Sequence, residues 1–208
     1  MNQTVSDTLS LLTERRSVRH YDETFKLSQE EVKELIELTT AAPSAWNLQH
    51  WHFLAFHSED AKQRLAPIAY NQPAISSSSV VIAVLGDLQA NRNYNPVYGP
   101  AVETGGMTEE LFDSIKGQVE GAYQSEAYAR DAAMSNASLA AMQLMLVAEA
   151  KGLSTLAMGG FNHQLFTETF ITEERFVPVM LIAVGKAVED AKKRPALRLP
   201  INQVTTIL

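Results

Sequence analysis

Ser76-Ser77-Ser78-Ser79-Val80-Val81-Ile82-Ala83-Val84-Leu85-Gly86-Asp87 is the stretch on which the fold turns. From Val80 to Leu85 it is continuously apolar and mostly β-branched, with serines before it and Gly-Asp after it. A polar residue at every second position would leave one face for solvent; none occurs, so the run reads as a strand covered on both faces. A sheet built around such a strand carries helices on each side. Working outward, Trp51 to Phe56 is short and aromatic and reads as a second strand, as do Ser154 to Met158 and Val177 to Val184, the last with Pro178 near its start.

Helical signals alternate with these strands. Val5, Leu9 and Leu12 recur at helical spacing from Thr4 to Glu14. Ser28 and Glu31 match a capping box ahead of Val32, Leu35, Ile36 and Thr39, and Pro43 stops that helix. Short helices are expected from Glu59 to Leu65 and from His163 to Thr169, and the pattern also resumes near Thr108. Between Leu88 and Gly106 the text turns to Asn, Pro, Gly and Tyr, which reads as a loop longer than a connector needs. From Ala127 to Lys151 runs the longest helix, closed by Gly152. Ala132, Ala137, Leu139, Met142, Leu144 and Val147 point to nearly every side of it, so it must be buried all round, either inside one chain or against a second copy. Strands interleaved with helices give an α/β or α+β sandwich with a mixed central sheet. Residues 1–208 read as one domain with no internal repeat or linker.

The chain has 208 residues, 46% of them hydrophobic, and a net charge of −7. That length suffices for a core without staples. Zero cysteines exclude a disulfide scaffold, a thiolate metal site and a cysteine nucleophile. An acidic chain repels polyanions on average, so nucleic acid is not the expected partner. Apolar runs fall far short of the roughly 20 residues of a membrane span, and no basic-then-apolar leader opens the chain. A soluble, cytoplasmic protein is expected.

Several constellations carry polar chemistry, each with a bland alternative. Arg15-Arg16-Ser17-Val18-Arg19 supplies guanidinium forks and a hydroxyl fit for phosphate; taken alone it reads rather as cations at a helix C-terminus on a solvated face. Lys192, Lys193, Arg194 and Arg198 cluster near the other end, and the two basic segments would make an anion site if they met. Ala42-Pro43-Ser44-Ala45-Trp46-Asn47-Leu48-Gln49-His50-Trp51 sets amides beside indoles, as a heterocycle with polar edges requires, or is a turn satisfying its own backbone. Gly159-Gly160 permits close approach of a ligand to backbone, or a tight turn. No dinucleotide fingerprint, phosphate loop or nucleophile elbow occurs. His50 and His52 share a strand face but lack a third ligand at a recognisable spacing, so no metal is expected.

In this order, Arg15-Arg16-Ser17-Val18-Arg19, Ala42 to Trp51, Met158-Gly159-Gly160-Phe161 and Arg198-Leu199-Pro200 resemble the signature of the FMN-dependent nitroreductase family, over nearly the whole chain. The resemblance implies an α+β fold in an intertwined homodimer, with the C-terminal tail exchanged onto the partner and FMN between subunits. It implies that Arg15, Ser17 and Arg198 bind the FMN phosphate, with Arg16 beside them, and that Arg19 approaches the pyrimidine edge. Pro43, Ser44, Ala45 and Asn47 would come from the other subunit. Asn71 or Gln72 would meet the polar edge of the ring, and Met158, Gly159 and Gly160 would lie along it. Residues 88–128 would form a lid, with Trp46, Tyr94, Tyr98, Phe112 and Tyr123 lining the acceptor site.

The implied activity is ping-pong reduction of nitroaromatics, quinones or similar flat acceptors by NADPH or NADH through FMN. A specialised dehydrogenase or dehalogenase of one metabolite, or a non-catalytic flavin-binding module, are the alternatives. The chain departs from the family pattern at Gly159, where an acidic residue is common, at Ala196, where lysine is common, and at His50, where proline is usual. The sequence leaves open the physiological acceptor and the choice of NADH over NADPH.

Overall fold

The computed structural model describes residues 3–189, 191 and 197–208, so Lys192, Lys193, Arg194 and Ala196 lie outside the described residues. In chain order the elements are α1 (Gln3–Glu14), α2 (Gln29–Thr39), β1 (Trp51–Phe56), α3 (Glu59–Leu65), α4 (Pro73–Ser77), β2 (Val80–Asp87), α5 (Tyr94–Glu103), α6 (Glu109–Ala122), α7 (Glu126–Ala150), β3 (Ser154–Met158), α8 (His163–Phe170) and β4 (Phe176–Gly185). β2 is buried at every position. Its alternate residues divide between two cores. Val81, Ala83 and Leu85 pack with Leu65, Ile75 and Phe166 on the face covered by α3, α4 and α8. Val80, Ile82 and Val84 pack with Leu35, Ala137 and Leu144 on the face covered by α2 and α7.

The sheet has the order β1-β2-β4-β3. Trp51 lies opposite Gly86, Val80 opposite Val184 and Ser154 opposite Gly185, and all three pairings are antiparallel. The α+β sandwich forms, but the four strands are not mixed in direction. The parallel component among the described residues is a single bridge, Ser17 beside Thr155. An all-apolar strand reports that both faces are covered, and helices can cover an antiparallel sheet as well as a parallel one.

The capping box at Ser28 forms: its hydroxyl accepts from the Glu31 N–H, and the Glu31 carboxylate accepts from the Ser28 N–H at 2.7 Å. The stretch after Leu88 is not a loop. A turn at Ala90–Asn93 leads into α5, which contains Pro100, and then into α6, capped by Thr108. Prolines and glycine gave α5 a poor helical signature, and packing overrides it: Tyr94 sits 4.8 Å from Tyr98 and 4.9 Å from Phe112, ring to ring. This excursion has its own small core of Leu48, Ala90, Tyr94 and Val119.

α7 buries one side through Ala132, Ala133, Ala137, Ala140, Ala141, Leu144 and Ala148. Leu139 and Met142, on another side, are exposed in the single chain. Gly152, at φ +72, ends the helix in the left-handed conformation that glycine adopts freely. Among the described residues no helix is long and apolar enough to cross a membrane.

Candidate functional site

The sequence-predicted site residues fall into two groups at opposite edges of the sheet. Beyond β3, the Val18 N–H donates to Thr155 O at 3.0 Å, and so lays the Arg15 to Arg19 segment along that edge. Arg15 is half-buried, yet its Nη1 is sealed from solvent and without a hydrogen-bond partner among the described residues, and so is Thr155 Oγ1. A buried guanidinium nitrogen left without a partner is costly, and a charge-assisted bond to an anion would satisfy it. Arg16 differs: its Nη1 donates back to Thr13 O at 2.5 Å and Arg15 O at 2.9 Å, so Arg16 plays the helix-end role. Ser17 and Arg19 are exposed.

The turn before α4 joins this group. Tyr70 and Asn71 are left-handed, at φ 55 and 52. The Gln72 amide nitrogen donates to Gly160 O at 2.8 Å, and the Asn162 N–H donates to Ile68 O at 2.9 Å, fastening the turn to the segment after β3. Met158 is buried, while Gly159 and Gly160 are exposed and face open space: a Cβ on either would meet nothing within 4 Å. Arg198 is exposed and donates to Leu197 O.

The second group is the turn between α2 and β1. Trp46, Asn47 and Gln49 are left-handed, at φ 47, 49 and 51. Every non-glycine residue of positive φ among the described residues therefore lies in one of these two turns, and each costs about 1 kcal/mol against ordinary backbone. Pro43, Ala45 and Asn47 are exposed, and Ser44 and Trp46 are half-buried. Ser44 Oγ accepts from the Gln49 N–H at 2.9 Å. Tyr98, Phe112, Tyr123 and Trp46 pack together around buried Tyr94, whose hydroxyl donates to Phe112 O at 2.7 Å. Tyr94 therefore supports this aromatic wall from behind rather than lining its surface.

Three features beside the second group escaped the sequence reading. His50 is fully buried and its ring stacks on Tyr123 at 6.4 Å. Burial pushes its pKa down to about 4, against the pull of the Asp87 charge. Asp87 is buried and paired with Arg175, whose Nε donates to Oδ1 at 2.9 Å, and that bond raises the Arg175 pKa. Asn136, the third, is a buried amide on α7, set between Ser135 and Ser138 in the chain. Among the described residues no three of His, Asp and Glu gather where a metal could bind.

The described residues thus combine a helix-covered antiparallel sheet with a sealed, unpaired guanidinium at one edge and a left-handed, aromatic-rich turn at the other. The nitroreductase family model matches residues 12–186, and the chain belongs to that family. It is similar to YodC of Bacillus subtilis, provisionally named an NAD(P)H nitroreductase, at 52% identity over 98% of this chain and 100% of YodC. A structure of a provisionally assigned nitroreductase from Exiguobacterium sibiricum, in complex with FMN, superimposes with a TM-score of 0.89 at 40% identity over 97% of both chains. An enone reductase of conjugated linoleic acid biosynthesis from Lactiplantibacillus plantarum is 33% identical over 89% of this chain and 88% of that one.

Proposed function

We propose that the protein is an FMN-dependent NAD(P)H oxidoreductase of nitroaromatics, quinones or similar flat acceptors. The observation that carries the reading is Arg15, two positions before Ser17, with its Nη1 sealed and without a partner among the described residues. Bound FMN supplies the two-electron chemistry, taking hydride from NAD(P)H and passing it on. The chain's own residues bind and orient. Arg15 and Ser17 hold the phosphate, with Arg198 joining from the tail. Arg16, bonded to its own helix end, steadies the segment. Arg19 neutralises negative charge that develops at the pyrimidine edge. Gln72 has its amide nitrogen committed to Gly160, which leaves its oxygen to accept from the ring, with Asn71 beside it. Gly159 and Gly160 follow Met158 and leave room for the ring to lie on backbone.

Pro43, Ser44, Ala45 and Asn47 belong to the same site but lie at the β1 edge, three strand spacings, or about 14 Å, from β3. The site is therefore completed by a second copy, in a homodimer whose C-terminal tails are exchanged. The exposure of Leu139 and Met142 on α7, and of Leu197, Leu199 and Ile201 in the tail, supports that arrangement. The excursion of residues 88–128 is the specificity lid of a single domain, and the location is cytoplasmic. The likeness to an enone reductase adds activated alkenes to the acceptors worth testing.

The test is anaerobic NAD(P)H oxidation by FMN-loaded protein with a nitroaromatic, a quinone and an enone, in wild type, Arg15→Met and Arg16→Met. Acceptor-dependent oxidation with parallel double-reciprocal plots is expected. FMN affinity should fall at least about tenfold in Arg15→Met and little in Arg16→Met. Bound FMN without turnover on any acceptor would leave a binding module.

A further inference from the structure

We infer that Asn136 is a positioning residue that locks the turn Ala45–Trp46–Asn47 in its ligand-binding shape; the inference rests on the FMN reading above. Trp46 and Asn47 are consecutive left-handed L-residues; asparagine visits that conformation, but tryptophan does so at a cost. Local bonds from the Asn47 N–H to Ser44 O and from the Gln49 N–H to Ser44 Oγ shape the turn, and two further bonds come from distant elements. Asn136 Oδ1 accepts from the Ala45 N–H at 2.8 Å, across 91 residues of chain. Its amide nitrogen donates to Ala132 O at 2.8 Å, which fixes which way the amide faces. At 7% exposed, Asn136 is the one buried polar side chain of α7 among the described residues. An alanine there would suit an apolar helix better, so the amide serves the turn rather than the helix.

The other end of the turn is held from the excursion, where the Tyr98 hydroxyl donates to Trp46 O at 3.0 Å. Asn136 on α7 thus holds the entry and Tyr98 on α5 the exit. Between them Trp46 presents its ring and Asn47 its amide, which has no side-chain hydrogen bond of its own within the described residues. Asn136 and Tyr98 act through this turn and need not touch the flavin. Tyr98 is accordingly committed to shaping the acceptor wall through Trp46.

The experiment compares Asn136→Leu, Asn136→Asp and Tyr98→Phe with wild type, using FMN titration of the flavin-free protein, exchange of the Ala45 amide and urea unfolding. Asn136→Leu removes the acceptor at nearly equal volume, and Asn136→Asp keeps an oxygen facing Ala45. Tyr98→Phe keeps the ring against Tyr94. Expected are about tenfold weaker FMN binding in Asn136→Leu and Tyr98→Phe, partial recovery at most in Asn136→Asp, whose second oxygen replaces the donor to Ala132 O, and an Ala45 amide that exchanges at least tenfold faster in Asn136→Leu while amides of β2 do not change. FMN affinity within twofold of wild type in Asn136→Leu, or an Ala45 amide that exchanges in Asn136→Leu as in wild type, would overturn the role. Wild-type protein that binds no FMN would instead overturn the reading on which it rests, while Ala45 exchange still reports the clamp.

Discussion

His50 is an imidazole whose two nitrogens are buried without hydrogen-bond partners, stacked on Tyr123 and within the field of Asp87. Burial holds its pKa at about 4, whereas an unfolded histidine titrates near 6.5. Between those values the unfolded chain binds a proton that the folded chain refuses. Stability therefore falls as pH drops through that window, by about 2–3 kcal/mol between pH 7.5 and 4.5. His50→Phe keeps the stack on Tyr123 and removes the titration. Urea unfolding at the two pH values should show a smaller loss in the variant; equal losses would contradict the account. Asp22 and Glu31, held low by hydrogen bonds from Thr24 and Ser28, weaken the fold at still lower pH and do so in both proteins.

Among elements, α7 packs tightly on β2. A Cβ on Gly86 would lie 2.9 Å from Ala133 O and 3.1 Å from Ala133 Cβ, and backbone cannot swing aside. Gly86→Ala is expected to lower stability by about 1–3 kcal/mol. Gly117, inside α6 with nothing near its Cβ, gives the opposite sign: Gly117→Ala should gain about 0.5–1 kcal/mol in the same urea assay. Local patterning made most of these elements readable beforehand. The capping box at Ser28, the apolar run at Val80 and the bounds of β1, α3 and β3 follow from residues a few positions apart. α5 was hidden because its packing comes from Tyr94 against Phe112 of α6, a contact between elements. The basic segment was legible as a motif, but which of Arg15 and Arg16 keeps an unpaired Nη1 depended on where each side chain turns. Asn136 was hidden for the same reason, since its partner is 91 residues away.

The whole molecule has its two turns of left-handed residues at opposite edges of one sheet, and apolar side chains exposed on α7 and the tail. Both features find a use if two copies associate. Sedimentation of wild type and of a variant lacking residues 197–208 is expected to give a dimer for the first. The second should show weaker association and at least tenfold weaker FMN binding. A wild-type monomer that binds FMN tightly would contradict the shared site. The central claim is tested most directly by the visible spectrum of the purified, FMN-loaded protein before and after anaerobic NADPH, with NADH in parallel. Flavin bands that bleach on adding the donor and return on adding a quinone or nitroaromatic are the result predicted. Flavin that stays oxidised with both donors, or protein that takes up no flavin, would contradict it.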